Sequence, residues 1–405
     1  MGGGGVQRSA KFVKYLPEFG WNPVVVAAAD RYYWARDDTL LAEIPPDVFI
    51  KRLSSGTSHL FYSLLAAITS AAVSRRVLDN VFLPDDRILW ALRAALCARG
   101  MIAKRAIGLI YTTSPPHSTH VAGLILKRIT GLPWVADFRD PWTGDFRYAP
   151  ETRWVHNAHT RCERRILGQA DRIICITESA RQGYITDFGI DPVRLVTIYN
   201  GFDAAEFPSS PGRKDGPSDR IVITHSGSFY GTYFPEVFFR ALAAALRDDA
   251  QLNKRVTVRF VGVMEEAMRQ RIRDVLPNHA VFDGYVSHPE AIRAVIESDI
   301  NLIALPVGKE VSYHVPGKLF EYLAAGKPIL AVAPRGEIAR IIESAGAGIV
   351  LSRVGVDELS KGLAGAIRDL AKPGGGPPDE GVVSGFERRR LTERLARVFD
   401  DVAGG

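Results

Sequence analysis

The stretch that decides the fold is Val315-Pro316-Gly317-Lys318-Leu319-Phe320-Glu321-Tyr322-Leu323-Ala324-Ala325-Gly326-Lys327-Pro328, followed by Ile329-Leu330-Ala331-Val332. Pro316 and Gly317 open a helix whose first turn has backbone N–H groups without intrahelical partners, an arrangement suited to an anion. Lys318 adds positive charge there, and Glu321 projects from the same face one turn on. Gly326 ends the helix, and the apolar run predicts a buried parallel strand. Phosphates on the N–H groups and the lysine, with ribose hydroxyls on the glutamate, would suit a nucleotide sugar. An ordinary αβ unit with an exposed lysine and glutamate gives the same local pattern.

Around this stretch the chain alternates strands and helices. The second half reads as strands at 221–225, 257–261, 280–282, 300–304, 329–332 and 348–351, then a Gly/Pro-rich break at 373–378 and a charged helix over 386–402. The first half reads as a helix over 6–19, strands at 23–28 and 48–50, and helices over 60–78 and 85–104. It continues with strands at 107–111, 134–137, 172–176 and 195–198, separated by helices ending at Thr130, Gln169 and Phe188. Such alternation predicts parallel sheets with helices on both faces. The polar run 204–220, with Pro208, Pro211, Gly212 and Pro217, reads as a linker between residues 1–203 and 221–385, leaving 386–405 as a last helix.

The 405 residues exceed one typical core, so two domains are expected. Hydrophobic residues make up 46% and charged residues 24%, the balance of a globular chain. Cys97, Cys162 and Cys175 are scattered, as buried thiols in a reducing compartment would be. No signal peptide is visible, and the longest apolar stretch, Leu60 to Val73, is shorter than the ~20 residues that span a bilayer. A cytoplasmic protein is expected. Residues 1–203 hold 25 Lys+Arg against 19 Asp+Glu, whereas the rest holds 26 of each. A basic first half suits an anionic membrane surface or a phosphorylated acceptor. No zinc-finger or RNA-binding signature accompanies it, so nucleic acid is set aside. Residues 57–105 are the candidate membrane face. Leu60, Phe61, Leu64, Leu65 and Ile68 precede Arg75 and Arg76, and Ile88, Leu89, Leu92 and Leu96 lie beside Arg87, Arg93, Arg99, Lys104 and Arg105. Packing of these stripes on the sheet or on each other is the plain alternative.

In open α/β sheets, ligands gather at the strand C-termini, and several distinctive residues fall there. Gly2 to Gly5 precede a helix and would let backbone approach a phosphate or sugar, as would a flexible start. No strand precedes them. A start placed too late is the expectation, and a first half-sheet without its central strand is the alternative. Ser114-Pro115-Pro116-His117 puts a histidine at a helix N-terminus, to bond a sugar hydroxyl or phosphate oxygen or to cap the helix. Asp137-Phe138-Arg139-Asp140 follows a strand. Its carboxylates suit buried ion pairs or sugar hydroxyls, and Arg139 suits a phosphate. His225-Ser226-Gly227-Ser228 makes a phosphate-facing turn, and Gly284-Tyr285-Val286 could meet a base. His117/His120 and His156/His159 are spaced three apart, but no HExxH or third ligand accompanies them, so no metal and no cofactor is expected.

Taken together, GGGGVQR, KYLPEFGW, VVV, TSPPHSTH, ADFRDPW, ADRIICITES, IYNGFD, HSGSFY and VPGKLFEYLAAGKPILAV resemble a retaining family-4 glycosyltransferase of the GT-B fold, of the polysaccharide or lipid-linked glycan type. The resemblance implies two Rossmann-like domains facing a cleft, a donor bound mainly by the second, and a last helix crossing back to the first. It implies that Glu321 holds the ribose and Lys318, with the Leu319 backbone, the diphosphate. Tyr285 and Val286 would flank the base, and Gly4, Gly5 and His117 would lie by sugar and acceptor. His117, Arg139 and Asp137 are thus the candidate catalytic residues. Gly4, Gly5, Gly227, Ser228, Tyr285, Val286, Gly317, Lys318, Leu319 and Glu321 are the candidate donor-binding ones.

Two departures stand out. The family often carries a glutamate eight residues before the ribose-binding one, and here that position is Tyr313. Many members carry an arginine and a lysine in the loop that reads Ser228-Phe229-Tyr230-Gly231-Thr232-Tyr233 here. Transfer from a nucleoside diphosphate sugar to a glycan or lipid-linked acceptor is the leading expectation. A sugar-nucleotide epimerase on the same fold and a non-catalytic nucleotide-sugar-binding partner subunit are the alternatives.

Overall fold

The computed structural model describes residues 4–29, 39–54, 82–145, 148–150, 152–207, 219–227, 229, 234–306, 314–352, 355–372 and 376–404. The chain forms two units, Met1–Tyr199 with Arg388–Gly405, and Asn200–Glu387.

The first unit opens with α1 (Gly4–Tyr15), extended by a 3-10 turn over Leu16–Phe19 that Gly20 ends in a left-handed conformation. β1 (Val24–Ala28) pairs in parallel with β2 (Phe49–Leu53), with the short α2 (Thr39–Ala42) between them in sequence. There follow α3 (Ile88–Arg105), β3 (Ile110–Ser114), α4 (Ser118–Thr130), β4 (Trp134–Phe138), α5 (Arg153–Gln169), β5 (Arg172–Cys175), α6 (Glu178–Phe188) and β6 (Leu195–Thr197). Thr152 and Thr177 cap α5 and α6 by accepting from Val155 N–H and Ala180 N–H. The parallel alternation expected from sequence is present. Among the described residues its strands fall into two sheets, β1-β2 and the all-parallel β3-β4-β5-β6. The helix expected over 60–78 lies outside the described residues.

β3 is displaced from its expected span of 107–111. It runs through Thr112 and Thr113 to Ser114, in register with Ala136, Asp137 and Phe138. β-branched threonines suit a strand once their hydroxyls have partners. Thr112 Oγ1 accepts from Trp134 Nε1 at 2.9 Å and lies 2.8 Å from His120 Nδ1, while Thr113 Oγ1 donates to Asp137 at 3.0 Å.

In the second unit, β7 (Ile221–Ser226), α7 (Glu236–Asp248), α8 (Ala250–Arg255), β8 (Val256–Val261), α9 (Glu266–Val275) and β9 (Ala280–Gly284) come first. Then come α10 (His288–Glu297), β10 (Ile300–Ala304), α11 (Lys318–Ala324), β11 (Ile329–Val332), α12 (Glu337–Ser344), β12 (Gly348–Leu351), α13 (Val356–Leu370) and α14 (Glu380–Ser384). The sheet is parallel throughout, in the order β12-β11-β10-β7-β8-β9. β10 and β11 are buried along their whole length, which explains their unbroken apolar runs. Strand order reverses between β7 and β10, and in such sheets the crevice beyond that reversal is where ligands bind.

The chain then returns to the first unit as α15 (Arg388–Ala403). Leu391, Leu395, Ala396 and Phe399 join Phe12 of α1, Leu16 of the 3-10 turn, Val135, Ile174 and Ile198 in one buried cluster. Trp21 Nε1 donates to Asp400 at 2.9 Å, and Arg394 donates to the Thr197 carbonyl at 2.9 Å. The last helix therefore belongs to the first unit's core, as the resemblance implied. Leu395 is fully buried, whereas Arg397 is exposed beside Glu393. Leu395→Ala should lower stability in urea by about 2–5 kcal/mol. Arg397→Ala should change it by less than ~0.5 kcal/mol. Equal, small effects would contradict this packing.

Candidate active site

At the reversal of the second sheet, β7 delivers His225 and Ser226 into a turn at Gly227 (φ +104°). A Cβ on Gly227 would sit 3.0 Å from Lys318 Nζ, and one on Gly262 (φ +132°) would sit 3.2 Å from the Gly227 backbone. Glycine is therefore favoured at both positions by backbone conformation, with little room for a side chain. Gly227 N–H donates to the Val261 carbonyl at 2.7 Å, tying this turn to the end of β8.

Lys318 opens α11, and its ammonium lies 3.0 Å from His225 Nε2. His225 Nδ1 lies 3.1 Å from the Leu302 carbonyl on neighbouring β10. An ammonium only donates and a carbonyl only accepts. The imidazole is therefore the neutral tautomer with its proton on Nδ1, donating to Leu302 and accepting from Lys318. Its ring stacks on Phe229, centroids 4.1 Å apart at 16°. Burial, then the neighbouring ammonium, holds His225 well below its usual range, which fits the neutral form. Burial pushes the Lys318 ammonium from its ordinary 10.5 down to about 7, with Glu321 opposing the shift. Tyr322 locks the same turn from inside, its hydroxyl accepting from Ser226 N–H at 2.8 Å.

The other donor-site candidates in this unit take varied places. Glu321 is half-buried one turn beyond Lys318. Gly317 is exposed ahead of α11, but Leu319 N–H already donates to the Pro316 carbonyl at 3.0 Å and the Leu319 side chain is wholly buried. The first turn thus offers fewer open N–H groups than its sequence suggests. Tyr285 is exposed and Val286 half-buried just beyond β9, the outer strand of the sheet. Ser228 and Tyr313 lie outside the described residues.

In the first unit the candidates cluster at the end of β4. Asp137 is fully buried, accepting from Arg8 Nε (3.1 Å) and Nη2 (3.0 Å), Tyr111 Oη (2.7 Å) and Thr113 Oγ1 (3.0 Å). Arg8 is buried too and also donates to the carbonyls of Tyr199 (2.7 Å) and Ile198 (2.9 Å). With its oxygens so occupied, Asp137, a catalytic candidate from sequence, holds Arg8 and thereby fixes α1 to the sheet. Arg139 lies beside it at the surface of the same loop. Its Nε donates to the Ser114 carbonyl at 3.0 Å and its Nη2 to Pro115. A Cβ on Gly5 would fall 1.7 Å from Arg139 Nη1, so the guanidinium crosses α1 where only glycine leaves room.

Gly5, Arg139 and the Ser114–His117 turn are therefore brought together, with Gly4 at the first turn of α1. His117 does not cap α4. That place is taken by Asp85, which accepts from Ser118 N–H at 2.9 Å. His117 instead stacks on buried Trp142, centroids 4.5 Å apart at 3°. Trp142 Nε1 donates to His159 Nδ1 at 2.9 Å, and Thr143 donates through N–H (3.0 Å) and Oγ1 (2.5 Å) to buried Glu163. Burial raises Glu163 to about 7, with the Thr143 bonds opposing. Among the described residues no group of three or more His, Cys, Asp or Glu is placed to hold a metal ion.

Residues 3–201 match a family model described as a glycosyl transferase 4-like domain, and residues 220–372 match one described as glycosyl transferases group 1. A D-inositol 3-phosphate glycosyltransferase of Kineococcus radiotolerans is 25% identical over 223 residues, 51% of each chain. The match spans about half the length of that curated relative. A glycosyltransferase structure from Rickettsia africae superposes with a TM-score of 0.67 at 16% identity, covering 98% of this chain and 95% of its own. Anabaena HepE, solved with UDP and glucose, superposes at 0.63 and 16% identity, covering 99% and 97%. At these identities the likeness establishes the fold.

The Arg8–Asp137 pair yields a stability test. Asp137→Asn leaves the buried guanidinium uncompensated and should lower stability by about 3–5 kcal/mol in chemical denaturation. Replacing both partners together, Arg8→Met with Asp137→Leu, should cost less than the single change. A loss under ~1 kcal/mol for Asp137→Asn would contradict its structural role.

Proposed function

Because the chain belongs to the family-4 glycosyltransferases of GT-B fold, we propose that it moves a sugar from a nucleoside diphosphate sugar to an acceptor hydroxyl with retention of anomeric configuration. The observation that carries this is the Lys318 ammonium held by His225 over the Gly227 turn, at the strand reversal, with Glu321 one turn further on. An ammonium at that point meets a diphosphate, and a carboxylate on the same helix meets ribose hydroxyls. The chemistry asked of the site is electrostatic. The departing diphosphate is stabilised by placed donors, and an oxocarbenium-like sugar is released from it. Lys318 supplies the charge that a metal ion supplies in other enzymes, so transfer proceeds without one. Gly5, Arg139 and His117 are the proposed sugar- and acceptor-side residues of the first unit. Asp137 supports them through Arg8.

The proposed acceptor is a glycan or lipid-linked glycan in cell-surface polysaccharide or glycolipid synthesis, reached from the cytoplasmic face of a membrane. No helix among the described residues is long and apolar enough to cross a membrane. Peripheral contact is supported by α3. Trp90, Ala91, Ala94 and Ala95 face inward, whereas Leu92 and Leu96 are exposed beside exposed Arg93, Arg99 and Lys104. Of the sequence stripe, Ile88 and Leu89 are half-buried, and residues 57–81 lie outside the described residues.

Lys318→Met and Glu321→Ala should each weaken nucleotide-sugar binding about ten- to hundredfold, since each removes a charge-assisted hydrogen bond. Calorimetry against UDP-glucose and GDP-mannose measures this, and wild-type affinity in both variants would exclude the donor site. Turnover should require an acceptor and survive EDTA. Acceptor-independent epimerisation, or nucleotide-sugar binding without turnover, would favour the alternative readings. For the membrane, flotation with phosphatidylglycerol liposomes should recover the protein at low salt. Leu92→Ser with Leu96→Ser, or Arg99→Gln with Lys104→Gln, should reduce recovery, and equal recovery with neutral liposomes would contradict an anionic surface.

A further inference from the structure

His225 has been given no task of its own toward the donor, yet it is buried, neutral and aimed at Lys318. Three features fix its ring: the Leu302 carbonyl on Nδ1, the stack on Phe229, and burial between β7 and β10. A ring held this way presents Nε2 in a single direction, and the Lys318 ammonium lies on that line at 3.0 Å. Gly227 lacks the side chain that would push the ammonium away. A lysine side chain has several rotatable bonds and no preferred orientation of its own, so a rigid acceptor is what gives its charge a fixed place.

We propose that His225 is a positioning residue for the donor diphosphate: its Nε2 holds the Lys318 ammonium over Gly227, where the phosphates of a nucleoside diphosphate sugar dock. The inference rests on the donor-site reading above and adds a control to it. Among the described residues, the titratable groups bearing on Lys318 are His225 from β7 and Glu321 from its own helix. The Tyr322 hydroxyl is occupied by Ser226 N–H. Because its half-buried surroundings desolvate the ammonium and its neighbour is neutral, Lys318 loses its proton near neutral pH rather than at its ordinary value. Only the protonated form attracts phosphate. Donor binding therefore falls as pH rises through about 7, and near neutrality binding takes up a proton from the buffer.

UDP-glucose and GDP-mannose are suitable probes, because a pyrophosphate diester keeps its charge between pH 6 and 8.5. Calorimetry on the full chain should show wild type binding at least about tenfold tighter at pH 6 than at pH 8.5, with proton uptake at pH 7. Lys318→Met should bind weakly and equally at both. His225→Phe keeps the volume and the stack but accepts nothing. It should bind about tenfold more weakly at pH 6. His225→Gln, whose Oε1 can accept, should recover most of that loss.

Wild-type affinity in Lys318→Met at both pH values, or no binding of either nucleotide sugar by wild type, overturns the donor site and this inference with it. Weak binding by Lys318→Met alongside wild-type affinity and pH dependence in His225→Phe overturns the inference alone. A readout independent of any variant is competitive acetylation of Lys318 in the wild-type protein without ligand. Its labelling should titrate near 7, and titration at the ordinary lysine value would overturn the pH control.

Discussion

A hydrogen bond between an ammonium and a neutral imidazole, Lys318 to His225, is the constraint on which the second unit's site depends. It joins the first residue of α11 to the end of β7. It forms only because β10 lies beside β7 and offers the Leu302 carbonyl to the other ring nitrogen. That adjacency is the strand reversal of the sheet, so the position of the cation follows directly from the topology. Gly227 and Gly262 suit the same place, since both have positive φ and a Cβ on either would press closely on the ammonium or on the neighbouring turn. Burial of a charge is unfavourable unless it has partners. Here the partners are a neutral acceptor and a carboxylate one helical turn away.

The first unit solves a different problem with a full ion pair. Arg8 and Asp137 are both buried, and the hydrogen bonds described for them tie α1 to β3, β4 and the segment just after β6. Around this fixed point Arg139 is turned across Gly5 toward the Ser114–Pro115 turn. The stack of His117 on Trp142 seats the loop after β4. A buried, satisfied pair beneath and partly exposed polar groups above is the division of labour expected where a binding surface needs a rigid base.

Much of this was legible in the chain. The run Pro316 to Val332 announces a helix, its glycine stop and a buried strand, and β11 begins at the expected Ile329. Parallel alternation was equally readable, because it depends on local periodicity, whereas the return of the last helix was implied by the family resemblance alone. The pairings that define the site were not. His225 and Lys318 are 93 residues apart, and Arg8 and Asp137 are 129 apart. No spacing rule links such positions. Asp137 could therefore be read as a member of a buried ion pair or as a sugar ligand, but its partner, Arg8 in α1, could not be named from the sequence. The Leu319 N–H looked open because propensity does not reveal that Pro316 bends back to accept it. The threonines of β3 looked like loop because their stabilising partners, Trp134, His120 and Asp137, come from other elements.

If Lys318, placed by His225 at the β7–β10 reversal, anchors the diphosphate, a crystal structure of the protein with bound UDP-glucose should show a pyrophosphate oxygen within hydrogen-bond distance of Lys318 Nζ, about 2.7–2.9 Å. His225 Nε2 should still be in contact with the ammonium, and a ribose hydroxyl should lie on the Glu321 carboxylate. A nucleotide whose phosphates are held elsewhere, with Lys318 bonded to His225 alone, would contradict that anchoring.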